Sequence, residues 1–295
     1  MSRNPTISIV IPHKNSLEKL SRLLASIPEG EFFQTIVIDD NSEPEQNPGL
    51  LKSTYKHVEF HINQSGEYNA GSARNIGVRC ASGEWLLFAD ADDYFNTDLL
   101  KSVPEIVKEL SAFDICYFKV KSIEEVTGLP SIRHTRYNSL ADRFLQGDDR
   151  ELIRYKWAPP WGKLIKKALV DSFNIKFDSV VASNDLIFSL KIGIFAKNIQ
   201  VIDEVIYFVT KSTDSITARL TPERALARLE TLIDYNSIVM DNGITCRMDF
   251  GINYFLKSEP WFLSMSKFQL YLRFFSMYRR RLLAMIMRGF SGPKI

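Results

Sequence analysis

Two rhythms of apolar residues alternate along the first hundred positions. Thr6 to Ile11, Thr35 to Asp40, Val58 to Ile62 and Trp85 to Phe88 are short runs rich in Ile, Val and aromatics, a pattern that predicts strands of a buried sheet. Between the first two, Leu17, Leu20, Leu23, Leu24 and Ile27 recur at three- and four-residue spacing and predict a helix, started by a Ser16 cap and ended by Pro28 and Gly30. A second helix is expected from about Asn69 to Gly83, where Ala70, Gly71, Ser72 and Ala73 allow close packing. Strand, helix, strand in this order predicts an α/β fold, whose ligands bind at the C-terminal strand ends. Polar residues gather at those ends: Pro12 to Asn15, Asp39 and Asp40, and the turn after Phe88.

That last turn carries Asp90, Asp92 and Asp93. Three carboxylates so close repel one another unless a cation sits among them, and alternate acids after a buried strand suit Mg²⁺ or Mn²⁺ holding a diphosphate. The alternative is a turn whose acids cap the helix starting near Asn96 and Thr97. Arg74, in the first turns of the second helix, is placed to reach a phosphate or a nucleobase, or else pairs with a neighbouring acid. Asp185 falls near the start of another helical pattern, where it is either a reactive carboxylate or an acid favoured by the helix dipole.

Beyond Pro222 the pattern changes. Glu223 to Met240 and Trp261 to Met287 read as helices, so residues 1–220 are expected to form one domain and 221–295 a helical, basic extension. The chain's formal net charge is +2, but Trp261 to Ile295 holds Lys267, Arg273, Arg279, Arg280, Arg281, Arg288 and Lys294 with no acid. Those basic residues interleave with an apolar aromatic face, which suits an anionic membrane surface. The alternative is packing on the first domain or on a second copy in a homo-oligomer. Nucleic acid is excluded as a partner because the rest of the chain is net acidic. Cys80, Cys116 and Cys246 lack paired spacing, which argues for a reducing compartment. The N-terminus carries no secretory pattern, so a cytoplasmic protein, peripheral at the inner face of the cell membrane, is expected.

Five motifs occur in an order and spacing that resemble glycosyltransferase family 2: Pro12 to Asn15, Val37 to Ser42, Ala73 to Gly77, Gly83 to Asp93, and Asn184 to Phe188. The resemblance covers about residues 6 to 217. It implies a GT-A, Rossmann-like mixed sheet flanked by helices, with a helical C-terminal extension. It also implies a nucleotide-binding set of Pro12, Asn15, Asp39, Asp40, Arg74, Asp90 and Lys211, with Asp40 facing a uracil ring nitrogen. Asp92 would be the principal ligand of Mn²⁺ or Mg²⁺, with Asp90 and Asp93 beside it, and Asp185 the catalytic base. Lys14 stands where the family has a stacking aromatic, and Asn184 where it has a glutamate. Trp157 and Trp161 fall on the acceptor side, as sugar-stacking faces or as packing anchors. Lys211 would close over the diphosphate or stand solvated.

The function so implied is inverting transfer of a sugar from a nucleotide-sugar, a UDP-sugar for preference, to a hydroxyl of a glycan or lipid-linked acceptor in capsule or lipopolysaccharide synthesis. The rivals are a sugar-nucleotide nucleotidyltransferase, which would carry a glycine-rich turn after the first strand, and a catalytically silent scaffold of a polysaccharide assembly complex.

Overall fold

The computed structural model describes residues 6–211 and 221–245. In chain order its elements are β1 (Ile7–His13), α1 (Leu17–Ala25), β2 (Phe33–Asp39), β3 (Val58–Ile62), α2 (Ala70–Cys80), β4 (Trp85–Phe88), β5 (Tyr94–Phe95), α3 (Thr97–Glu109), β6 (Ile115–Glu124) and α4 (Thr135–Leu145). There follow α5 (Leu152–Lys156), β7 (Lys163–Lys166), α6 (Lys167–Ser172), α7 (Leu186–Phe195), β8 (Ile199–Lys211) and α8 (Pro222–Asp241). The strands form one eight-stranded mixed sheet in the order β3-β2-β1-β4-β7-β6-β8-β5. β3, β2, β1 and β4 are mutually parallel, so their C-terminal ends share one edge. The antiparallel β7 then joins β4 to β6.

β1 is buried at all seven positions, as a strand covered on both faces must be. α2 crosses close to it: a Cβ added at Gly77 would strike the Val10 side chain, and one at Gly71 the carbonyl oxygen of Asp178. Glycine therefore sets how closely α2 approaches the sheet at Gly77 and the Asp178 backbone at Gly71, and with both the position of Arg74. Gly71→Ala is expected to cost about 1–3 kcal/mol, because the backbone it meets gives way less readily than a side chain. Urea unfolding of the two proteins measures it.

Ser16 occupies the cap position of α1 but makes no side-chain cap bond; its N–H instead donates to His13 Nε2 at 3.3 Å. Asn69 is the working cap, accepting the Ser72 N–H at 2.9 Å while Ser72 Oγ accepts from Asn69 N–H at 3.4 Å. The chain divides into a unit of residues 1–227 and a second of 228–295. The basic segment 261–295 lies outside the described residues. Among those described, no helix is long and apolar enough to cross a membrane.

Candidate active site

The parallel ladder continues past its strand ends: the Asp40 N–H donates to His13 O and the Asn63 N–H to Asp39 O, both at 2.8 Å. This aligns three loops on one edge. Asp39 is buried and accepts from Ser42 Oγ at 2.5 Å, with His13 Nδ1 3.4 Å from the same oxygen. Burial holds the His13 pKa below its ordinary value, against the pull of Asp39. Asp40 is buried on the other side, where Asn63 Nδ2 donates to Oδ1 at 2.7 Å; burial raises its pKa, opposed by Asn63 and Lys14. Pro12 is buried in β1. Asn15, at φ 48°, accepts the Glu43 N–H at 2.8 Å and ties the first turn to the second.

Arg74 joins the two halves of the site. It is only 5% exposed; NH2 donates to Asp90 Oδ1 at 2.5 Å and NH1 to Asn184 Oδ1 at 2.9 Å. Its guanidinium carbon lies 5.5 Å from the centre of the Phe177 ring, itself stacked on Phe188 at 3.8 Å. Its Nε is buried without a partner. Asn184 thus supplies a neutral acceptor to the arginine where a glutamate would supply a second charge.

The acid turn is held from several directions. Asp90 N–H donates to Tyr207 Oη at 2.8 Å, and Arg22 donates to Asp92 O at 2.5 Å and Thr210 Oγ1 at 3.2 Å. Asp93 faces inward. Its Oδ1 accepts the Thr210 N–H at 2.6 Å, Tyr207 bonds to it, and burial beside Asp92 and Asp90 raises its pKa well above the carboxylate range. It holds β8 against the turn rather than lining an open face. Asp92 is half-buried, and burial together with the charge of Asp90 raises its pKa.

Among the described residues no three His, Cys, Asp or Glu side chains converge on one point, so a closed cage of Asp90, Asp92 and Asp93 is not what the turn builds. An open site does fit. Two adjacent carboxylates, one bound on a single oxygen by Arg74 and the other raised by its neighbour's charge, suit a hard cation that takes its remaining ligands from diphosphate and water.

Asp185 immediately precedes α7, half-buried, with no side-chain cap bond. Burial raises its pKa, and the charges of Arg74 and Lys163 oppose the rise. Two tryptophans expected on the acceptor side are turned inward: Trp157 is 0% exposed and Trp161 3%. Trp157 lies among Tyr117, Tyr137 and Trp161, and its indole N–H donates to Trp161 O at 3.1 Å. Trp161 stacks on Tyr207 at 5.9 Å, supporting the acid turn from behind. Neither indole offers an open face, so the geometry carries the packing alternative. Lys211 ends β8 and pairs with Glu124 at 2.9 Å.

Lys163, Asn63, Tyr207 and Phe177 brace the candidate site residues and carry no motif of their own. Lys163 is completely buried, with its pKa pushed down to about 7 by that burial. The unfolded chain keeps this proton up to the ordinary lysine range, whereas the folded chain releases it near 7. Stability is therefore expected to rise with pH above 7, by up to about 1.4 kcal/mol per pH unit. Urea unfolding at pH 7 and 8.5 should show a gain that Lys163→Met lacks.

An acid turn at the end of β4, an acid pair at the end of β2 and an arginine that ties the acid turn to Asn184 lie together at the C-terminal strand edge of a GT-A fold. Residues 8–164, just over half of the chain, match the model of glycosyl transferase family 2, and the chain belongs to that family. It is 26% identical over 212 residues to the poly(ribitol-phosphate) beta-N-acetylglucosaminyltransferase TarS of Staphylococcus aureus, covering 69% of this chain and 35% of TarS. To the poly(ribitol-phosphate) beta-glucosyltransferase of Bacillus spizizenii it is 29% identical over 240 residues, 77% of this chain and 36% of the relative. The chain thus spans about a third of the length of these relatives. The crystal structure of TarS 1–349 in complex with UDP-GlcNAc shares the fold at TM-score 0.61 and 21% identity, over 80% of this chain and 67% of that one. The mannosyltransferase PcManGT of Pyrobaculum calidifontis, in complex with GDP-Man and Mn²⁺, does so at TM-score 0.54 and 14% identity, over 81% and 65%.

Proposed function

We propose that this chain is an inverting glycosyltransferase that moves a sugar from a UDP-sugar to a hydroxyl of a bacterial surface polymer. The observation that carries the reading is Arg74, which ties the acid turn at Asp90 to the loop that presents Asp185. Donor chemistry and acceptor activation are thereby held at a fixed separation. The names of the relatives support a UDP-sugar donor and make poly(ribitol-phosphate) the first acceptor to try.

Asp40, braced by Asn63, and the His13 to Asn15 turn receive the base. Arg74 offsets the charge that grows on the leaving diphosphate. Asp92, with Asp90 beside it, would hold Mn²⁺ or Mg²⁺, which neutralises the diphosphate when bound. Asp185 takes the proton of the acceptor hydroxyl as that oxygen bonds to the anomeric carbon. The bond from that carbon to the diphosphate breaks on the opposite face, nucleoside diphosphate leaves, and configuration inverts.

Attachment of 261–295 to the inner face of the cell membrane belongs to the same proposal, since it would bring the enzyme to a lipid-linked acceptor. Cosedimentation with anionic vesicles tests that part.

Proton NMR of UDP-GlcNAc and UDP-glucose turnover with Mn²⁺ and poly(ribitol-phosphate) tests the transfer itself. A β-linked product from the α-linked donor is expected, and an α-linked product would overturn inversion.

A further inference from the structure

Lys163 is a lysine with no exposed surface, and its ammonium is bonded to neutral oxygens: Nζ donates to Trp157 O and to Ser189 Oγ, each at 2.9 Å. An ammonium in such a place costs free energy that two neutral acceptors do not fully offset. A methionine of similar length would fill the same space without that cost. The position makes sense through what the bonds reach. Ser189 sits one helical turn after Asp185, donates its N–H to Asp185 O at 2.9 Å, and donates its hydroxyl to Ala158 O at 2.5 Å. One buried amine therefore links β7, the Trp157 to Ala158 backbone and the first turn of α7, whose Ser189 is bonded to the backbone of the residue that the proposed reaction uses.

We propose that Lys163 is a positioning residue for Asp185, fixing the start of α7 through Ser189 and keeping the Asp185 carboxylate ionised by its own buried charge. The inference rests on Asp185 being the base, and it names how that base is tuned.

The groups that face the pair support the assignment. The charged and titratable groups whose fields act on Asp185 are Arg74 of α2, Asp90 of the acid turn, Tyr137 of α4 and Lys163 of β7. Of the two cations, Arg74 already has Asp90 and Asn184 as partners. Lys163 feels the charge of Asp185, just ahead of α7, and faces the Tyr117 ring of β6, whose centre is 6.0 Å from Nζ. Below neutral pH, where a base is at risk of protonation, Lys163 carries its proton and opposes that protonation. Each of the two groups favours the charged form of the other.

The test has two arms on the full chain. In the first, the acid limb of kcat for UDP release from UDP-GlcNAc with Mn²⁺ and poly(ribitol-phosphate) as acceptor is measured for wild type and Lys163→Met. The limb is expected to move up by about one pH unit, giving a loss of about tenfold on the limb, with recovery at high pH and unchanged calorimetric UDP binding. A loss equal at all pH values would mean a structural role only and would overturn the proposal.

The second arm needs no activity and no lysine variant. The ¹³Cε resonance of Lys163 is followed against pH in wild type and in Asp185→Asn. Removing the carboxylate is expected to lower the lysine midpoint by about one pH unit, and an unchanged midpoint overturns the coupling. A wild type that binds UDP yet transfers nothing would sink the proposed reaction while leaving this arm to decide the pairing.

Discussion

Asp185→Asn is expected to lower the rate of sugar transfer by about 10²–10⁴-fold, the range for loss of a general base, while UDP affinity stays within about threefold of wild type. The asparagine keeps the size and the position ahead of α7, where the carboxylate makes no cap bond to lose. What disappears is the group that accepts the acceptor's proton. A pH profile adds a second readout. Burial raises the Asp185 pKa, so the active, ionised base is lost as pH falls at a higher pH than for a solvated aspartate. Single-turnover transfer rates and calorimetry separate the two effects: a fall in UDP binding that matches the fall in rate would show that the substitution damaged the donor site instead.

Arg74→Met should be the more damaging change to the fold. Methionine fills the space over Phe177 but leaves Asp90 without its cation and Asn184 Oδ1 without its donor. Breaking such a pair is expected to cost about 3 kcal/mol, toward the low end for buried ion pairs because Asp90 is about a third exposed. UDP affinity should fall at least about tenfold, since a charge-assisted bond to a phosphate contributes about 1.5–3 kcal/mol. Arg74→Lys should recover part of the stability and little of the affinity, because a point charge cannot bridge Asp90 and Asn184 at once. Urea unfolding and calorimetry on both variants check this. Equal UDP affinity in Arg74→Met would remove the arginine from the donor site.

Much of this arrangement is legible in the sequence where the signal is local. The unbroken apolar runs gave β1, β2 and β4 to within a residue or two at most ends, and Val58 to Ile62 is the observed β3. The acids at their C-terminal ends could be placed on one edge because parallel strands align those ends. What local pattern cannot show is which of several similar residues turns inward. Asp90, Asp92 and Asp93 look equivalent in the chain, and only the Thr210 N–H, contributed by β8 from 117 positions away, commits Asp93 to the interior. Arg74 and Asn184 are 110 positions apart, so the bond that explains Asn184 has no signature in either motif. The two tryptophans carry both a stacking and a packing reading until burial decides between them. Lys163 is the plainest case: within a short apolar strand, a lysine reads as a solvent-facing position, and only three-dimensional packing shows it enclosed and bonded to Ser189 of α7.

The donor site is tested most directly by titrating UDP into the protein in a calorimeter with Mn²⁺, then with chelator, and repeating both on Asp92→Asn. Binding that weakens at least about tenfold on chelation, and that is equally weak with or without Mn²⁺ in the variant, is the predicted result, since each removes the same charge-mediated contact. UDP affinity indifferent to both changes, or no binding of UDP or any other nucleoside diphosphate, would contradict the assignment of the acid turn and of the site built around it.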